Sequence, residues 1–388
     1  MAKGPISHIS SPAERARRYR VLREAMAGAG IDALVVYCRG DDFMRGRVQY
    51  VSDIWQAAGW GIVVLPAKGE PSYIGDPLWG GKRMAMMVNW IQDARHTQTP
   101  EVEIAGILSD HGYSNGTIGM AGLADITTYA LMSGLGKLAP GATLVDATDL
   151  FDDVRIKKSP EEMENHRETS RILEQVFRSL EAHIRPGALE IDVMAEAHRL
   201  VRQYGCLTGI AQTGRTSPRA LADGRHAPFE RGEYLSIDLE WQGPSGYWLE
   251  LRRNYCFGKP SDEAKRFWDI RCEVFQACID AMKSGHSSDE VLAARDRVND
   301  KYGLGGRELV SYSAHGLGTD SLEPPWSPGK ERIMETDMVI NLHPHSTFSD
   351  PAAYQSVAAL SLADNIRVTP TGGERLTYPE DELVDLDV

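Results

Sequence analysis

Apolar residues follow two rhythms over the first 150 positions. Ala13 to Gly28 places them at helical spacing and closes on Gly28 and Gly30, as an amphipathic helix does. Ile31 to Tyr37, IDALVVY, is a short unbroken apolar run suited to a buried strand. Gly61 to Pro66, then Lys68-Gly69-Glu70, then Pro71 to Ile74 read as strand, turn and strand. Thr117 to Leu123, a helix around Ile126 to Gly136, and Thr143 to Asp146 continue the alternation. Strands alternating with helices predict a small α/β domain over residues 1–150.

The rhythm then changes. Ser159-Pro160-Glu161-Glu162 is a capping box with proline at the first helical position, so a helix opens there. Met163, Ile172, Leu173, Val176, Phe177 and Leu180 give that helix one apolar face, and Pro186-Gly187 stops it. A second helix is expected from Ile191 to Tyr204, a third from Asp262 to Lys283, and a fourth from Ser288 to Tyr302. Strand-like runs cover Tyr234 to Trp241 and Gly246 to Phe257, split by Gln242-Gly243-Pro244-Ser245. Further runs are Met338 to Leu342, Ser356 to Leu362 and Asn365 to Thr369. Grouped helices and mostly antiparallel strands predict an α+β domain over residues 151–388. Gly303, Gly305 and Gly306 form no phosphate-binding pattern between strand and helix and are assigned to a turn.

Length and charge sharpen this picture. A chain of 388 residues exceeds what one core usually holds. A net charge of −13 argues against a protein whose main task is gripping phosphate backbones, so no nucleic-acid partner is expected. Cys38, Cys206, Cys256, Cys272 and Cys278 form no C-x-x-C pair, which points to reduced, mostly buried thiols in a cytoplasm. The first twenty residues show no signal-peptide pattern, and no apolar run approaches membrane-spanning length; a soluble cytoplasmic protein is expected.

Five blocks in order carry a resemblance. They are RIKKSPEEMENHRETSRI with HIRPGALEIDVMAEA, RGEYLSIDLEWQGPSGYWLELRRNYCFG, SAHGLGTDSLEPPW, MVINLHPH, and NIRVTPTGGERLT. Together they resemble the creatinase/prolidase/aminopeptidase P superfamily, the peptidase M24-like proteins. VQYVSDI after DALVVY resembles that family's smaller N-terminal domain. The resemblance implies a pita-bread catalytic domain of α+β class preceded by a smaller α/β domain. It also implies a homodimer in which the small domain of one subunit closes the pocket of the other, making Trp55 and Trp60 candidate pocket walls.

The family's metallopeptidases hold two divalent ions on two aspartates, a histidine and two glutamates. Here the matching positions are Asp238, Glu250, His315, His343 and Ala363, with Asp364 beside the last. Two carboxylates are thus lost, one to a histidine and one to an alanine, and a dinuclear centre is not expected. No cofactor, or a single divalent ion on Asp238, Glu250, His315 and His343, is what this set implies. A family histidine falls at Leu322, ahead of Glu323; another falls near Asp223, where His226 could take its place.

Strand alternation brings the acids together. Ser236, Asp238 and Glu240 share one face of their strand, and Trp248, Glu250, Arg252 and Asn254 share one face of the next. With a loop of three or five residues Asp238 can lie across from Glu250; a bulge is the competing arrangement. Adjacent carboxylates raise each other's affinity for protons, which suits acid–base work without metal. Of His343 and His345, one is expected at the pocket and the other away from it, with His343 the pocket candidate. Arg252 and Arg253 can either bind a substrate carboxylate or pair with surface acids, and Trp241, Trp248 and Trp326 can line a pocket or fill core.

The expected activity is hydrolysis of a non-peptide C–N bond in a small polar molecule, as in creatinase and ectoine hydrolase. Asp238, Glu250, His315 and His343 would be catalytic, with Trp55, Trp60, His226, Arg252, Arg253 and Trp326 at the substrate. Three alternatives stand beside it: a metal-dependent Xaa-Pro peptidase, a lyase, and an inactive binding homologue.

Overall fold

The computed structural model describes residues 9–78, 90–123, 125–215, 223–304, 308–310, 314–323, 331–344, 346–348, 357, 359–378 and 382–386. It divides into two compact units: Met1–Ile156 with Gly318–Asp320, and Lys157–Leu317 with Ser321–Val388. The division falls after Ile156 and not at 150, because the helix Thr148–Arg155 packs Phe151 into the first unit's core.

In the first unit, strands β1 (Ala33–Arg39), β2 (Trp60–Pro66), β3 (Ser72–Gly75), β4 (Asp93–His96), β5 (Thr117–Ala121) and β6 (Thr143–Asp146) form one mixed sheet in the order β4-β3-β2-β1-β5-β6. The unbroken apolar run of β1 is explained by helices on both faces. Leu34, Val36 and Cys38 meet Leu22 and Met26 of the helix Pro12–Ala29, while Val35 and Tyr37 meet Ile104 and Leu108 of the helix Pro100–Asp110. Below them lies a buried ionic knot. Asp152 accepts from Arg47 (Nε 3.0 Å, Nη2 2.8 Å) and from Arg155 Nε (2.8 Å). Arg155 Nη1 also reaches Asp320 Oδ2 at 2.8 Å, and Asp320 Oδ1 accepts from the Gly46 amide at 2.6 Å.

The second unit opens as its capping box requires. Ser159 Oγ accepts from the Glu162 amide at 3.1 Å and Glu162 Oε2 accepts from the Ser159 amide at 2.9 Å. The helices Pro160–Leu180 and Glu190–Gln203 then cover one face of a four-stranded sheet of β7 (Thr208–Gly214), β8 (Tyr234–Gln242), β9 (Trp248–Cys256) and the C-terminal β16 (Val384–Asp385), in the order β16-β9-β8-β7. Leu235, Ile237, Leu239, Leu249 and Leu251 point to those helices and pack with Leu173, Phe177, Val193 and Ala197. The alternate positions point the other way. The remaining strands are β10 (Glu308–Val310), β11 (Ala314–Gly316), β12 (Val339–Leu342), β13 (Ser346–Phe348), β14 (Asp364–Val368) and β15 (Gly373–Arg375). Of these, β11, β12, β14 and β15 make a second, antiparallel sheet in that order. The helices Asp262–Ala281 and Ser288–Lys301 pack on each other.

The turn between β8 and β9 fixes their register. Gln242 pairs with Trp248, leaving the five residues Gly243–Tyr247 as the loop. The Gly243 amide donates to Tyr247 O (2.9 Å) and the Gly246 amide to Gly243 O (2.9 Å). Gly246 sits at φ 84°, where a side chain is disfavoured. A Cβ on Gly243 would lie 2.1 Å from Thr169 Oγ1.

Gly246→Val should lower stability by about 1–2 kcal/mol, read from urea unfolding, because it forces a branched side chain into left-handed backbone. A variant as stable as the parent would contradict this account of the turn. Asp152→Asn should cost about 3–5 kcal/mol at pH 7 by leaving two buried guanidinium groups short of their counter-charge. Burial raises the Asp152 carboxyl, but Arg155 and Arg47 outweigh it and hold the folded value below the usual one. Its contribution is therefore present above the unfolded value and lost as pH falls through the folded one, so the gap between parent and variant should narrow below about pH 4. Denaturation curves at pH 7 and about pH 3 read this directly, and a gap that widens in acid would refute it.

Candidate active site

The face of β8 and β9 turned away from the helices carries Asp238, Glu240, Glu250 and Arg252, all buried. The register pairs Glu240 with Glu250 and Asp238 with Arg252. The expected pairing of Asp238 directly across from Glu250 is thus corrected. A five-residue loop does pair even-numbered positions, but its centre at Ser245 shifts the partner of Glu250 by two residues, to Glu240. Glu240 was not among the expected site residues, although its place on the same strand face as Asp238 was visible in the sequence.

His315 on β11 and His343, just past β12, come to these acids from the second sheet. Their rings lie 5.1 Å apart, and His315 Nε2 is 3.2 Å from Glu250 Oε2. His315 Nδ1 faces Gly316 O at 3.3 Å. An ionised carboxylate accepts only, so His315 Nε2 is the donor to Glu250. Arg252 Nη2 is 2.6 Å from Asp238 Oδ2 and 3.6 Å from Glu250 Oε1, and Nη1 donates to Ser361 Oγ at 3.0 Å. The Ser321 hydroxyl donates to Glu240.

The backbone of Glu250 is clamped on both sides. Asn365 Nδ2 donates to Glu250 O (2.7 Å) and Asn365 Oδ1 accepts from Glu250 N (3.3 Å). Asn341 Nδ2 donates to the same carbonyl at 3.0 Å. Asn341 interrupts the apolar strand run MVINL, and Asn365 sits within the strand DNIRV; asparagine is disfavoured in strands. That placement was the signal available for them.

The buried charges shift one another. Burial carries Asp238 up to about 8 against the pull of Arg252, with Glu250 and Glu240 adding repulsion. Burial, then Glu250, lifts Glu240 to about 7 against the opposing pull of His315, Ser321 and Arg252. Glu250 is also desolvated, but His343, His315 and Arg252 outweigh that and hold it below the ordinary carboxylate range. Burial lowers His315 and Glu250 more than reverses it, by hydrogen bond and by charge, so the ring sits above its usual value. His343 is pushed down to about 4, chiefly by burial, and is neutral at pH 7. One ionised pair, Glu250 with His315, therefore lies among groups that hold or can hold a proton.

Glu250, His315 and His343 each offer a donor atom, and these atoms lie within 4.8 Å of one another. A carboxylate and two imidazoles are a donor set for one borderline divalent ion, so these residues fit such an ion. Asp238 is not part of that triplet. Ala363 offers only its carbonyl, which accepts from the Arg252 amide at 3.2 Å. Asp364 is turned to the Thr377 hydroxyl and the Asn365 amide (2.7 Å).

Arg252 is committed to internal acids and Arg253 to backbone carbonyls, Arg252 O at 3.1 Å and Tyr378 O at 3.3 Å. Both residues are buried among these internal partners. His226 is exposed on the stretch before β8. Trp248 is core, packed with Met163 and Val339. Trp241 packs edge-on to His198 in the helix-facing core. In the first unit, Trp55 lies under Arg45, 4.4 Å from ring centroid to guanidinium, and Trp60 packs beside the core of β1 and β2. Trp326 and His345 lie outside the described residues.

Residues 164–370 match the metallopeptidase family M24, and residues 18–157 match the creatinase/prolidase N-terminal domain. The Xaa-Pro dipeptidase of Pyrococcus furiosus is 24% identical, covering 68% of this chain and 75% of its own length. The ectoine hydrolase of Halomonas elongata is 24% identical, covering 94% of this chain and 95% of its own. An X-Pro aminopeptidase structure from Thermotoga maritima superposes with TM-score 0.80 at 18% identity, over 94% of this chain and 99% of its own. That last likeness shows the fold: a creatinase-type α/β domain followed by a pita-bread α+β domain, as expected.

Glu250→Gln should lower the midpoint at which His315 titrates, which in the parent lies above its usual value. Without the Glu250 carboxylate, burial is opposed only by Glu240 and the Gly316 carbonyl, the smaller of the raising influences. Ring-proton NMR against pH measures this, and an unmoved midpoint would break the assigned pair.

Proposed function

The chain belongs to the metallopeptidase family M24, and from that membership we propose that it is a hydrolase of a C–N bond in a small polar molecule. The observation carrying this reading is the 3.2 Å contact of Glu250 with His315, buried beside Asp238 and Glu240. Such a pair offers a base and an acid in contact with each other. Glu250 accepts a proton from water as the water oxygen bonds to the carbon under attack. His315 gives its Nε2 proton to the nitrogen as the C–N bond breaks. Glu250 then holds a proton and His315 has lost one, so transfer across their own hydrogen bond restores both. Asp238 and Glu240, in their protonated forms, can donate to polar groups of the substrate. His343, neutral, completes the wall beside His315.

The likeness to a relative named for ectoine, which is not a peptide, supports a non-peptide substrate. A second reading is favoured by the convergence of Glu250, His315 and His343: a metal-dependent hydrolase of Xaa-Pro dipeptides, as in the name of the Pyrococcus relative. A divalent ion held by these three residues would supply polarisation of the scissile carbonyl and a more acidic water.

A panel of ectoine, creatine and Xaa-Pro dipeptides, assayed with chelator and with added manganese, separates the two. The first reading expects turnover of a non-peptide compound that survives chelation. It is overturned if only proline dipeptides are cleaved and only with metal. On the productive substrate, Glu250→Gln and His315→Ala should each lower kcat on the order of 10²–10⁴-fold. Retention of full activity in either variant removes that residue from the chemistry.

A further inference from the structure

Three acids, Asp238, Glu240 and Glu250, are buried on one sheet face, and Arg252 carries a fixed charge in among them. Its Nη2 touches acids on both strands, 2.6 Å from Asp238 Oδ2 and 3.6 Å from Glu250 Oε1. An ion bridging those carboxylates would need to sit about 2.0–2.2 Å from an oxygen of each, in the space this nitrogen fills. The group cannot leave by losing its proton, because a guanidinium stays charged in proteins. It is also held from behind. Nη1 donates to Ser361 Oγ at 3.0 Å. Ser361 is fixed in turn by Asn254, whose Oδ1 accepts from the Ser361 amide (3.1 Å) and whose Nδ2 donates to its carbonyl (2.7 Å). Arg253 cannot exchange roles with it, since its nitrogens reach Arg252 O and Tyr378 O and its guanidinium lies over Phe177 in the helix-facing core.

We propose that Arg252 is the resident cation of this site: its guanidinium bridges Asp238 and Glu250 and limits the cluster to at most one exchangeable divalent ion, on Glu250, His315 and His343. This rests on reading the cluster as the reaction centre, but not on which bond is cleaved. Arg252 is here a positioning residue that sets ion number.

The test counts ions and needs no substrate. Purified full-length protein is dialysed to equilibrium against manganese chloride and the bound metal is measured by elemental analysis, with spin-coupled manganese pairs sought by electron paramagnetic resonance. The parent should bind one ion or none and show no coupled pair. Arg252→Ala should bind one ion more than the parent, and its melting temperature should rise with manganese by more than the parent's does. The extra ion should vanish in Arg252→Ala/Glu250→Gln, which separates it from adventitious surface binding. Arg252→Lys, which keeps the charge, should match the parent. Two ions in the parent overturn the proposal even if Arg252→Ala does not fold. So does an Arg252→Ala protein that saturates at the parent's number, or an Arg252→Lys protein that gains the ion. Because no turnover is measured, an error in the assigned reaction leaves this result untouched.

Discussion

The alignment of β8 against β9 is the constraint from which the rest of the site follows. Side chains alternate across a strand, so pairing by even-numbered positions sends every acid to one face and every leucine to the other. The five-residue turn Gly243–Tyr247 then selects the partners: Glu250 receives Glu240, and Asp238 receives Arg252. The turn depends on a glycine at φ 84° and on another whose Cβ would collide with Thr169. Two small residues far from any proton transfer thereby decide which charges meet.

Those charges are tolerable only as a set. A lone buried carboxylate would take up a proton, as desolvation dictates. Here Glu250 stays ionised because His315 and Arg252 lie within reach of its carboxylate. Asp238 and Glu240, with less compensation, move toward the protonated form. One environment gives neighbouring acids different protonation states, which is the condition for dividing acid and base duties between them. The same balance requires Ser361, Asn254 and Asn365, none of which carries a charge.

Much of the framework was written in short stretches. IDALVVY lies between helices on both faces of its sheet, and the Ser159–Glu162 box caps its helix with both hydrogen bonds present. Membership in the family was legible in five blocks because each preserves a local run of residue types. The site was legible in part. His315 and His343 were marked by position within those blocks. Glu240 shared a face with Asp238 yet was passed over, because the loop centre that brings it to Glu250 depends on the geometry of Gly243 and Gly246. Arg252 looked like a substrate ligand because nothing near it in sequence announced Ser361 at its other end.

By itself the sequence determined the capped helix that opens at Ser159, the strands β8 and β9 with their polar faces, and which family the chain resembles. These follow from interactions spanning a few positions: capping, alternation and turn chemistry. The tertiary structure alone decided that Glu250 meets His315, 65 residues further along, and that the guanidinium two positions after Glu250 is an internal counter-charge. Contacts between distant segments depend on how separate sheets pack, and burial depends on everything surrounding a group. Protonation states inherit both dependences, so the chemistry of the site emerges only once the chain has closed around it.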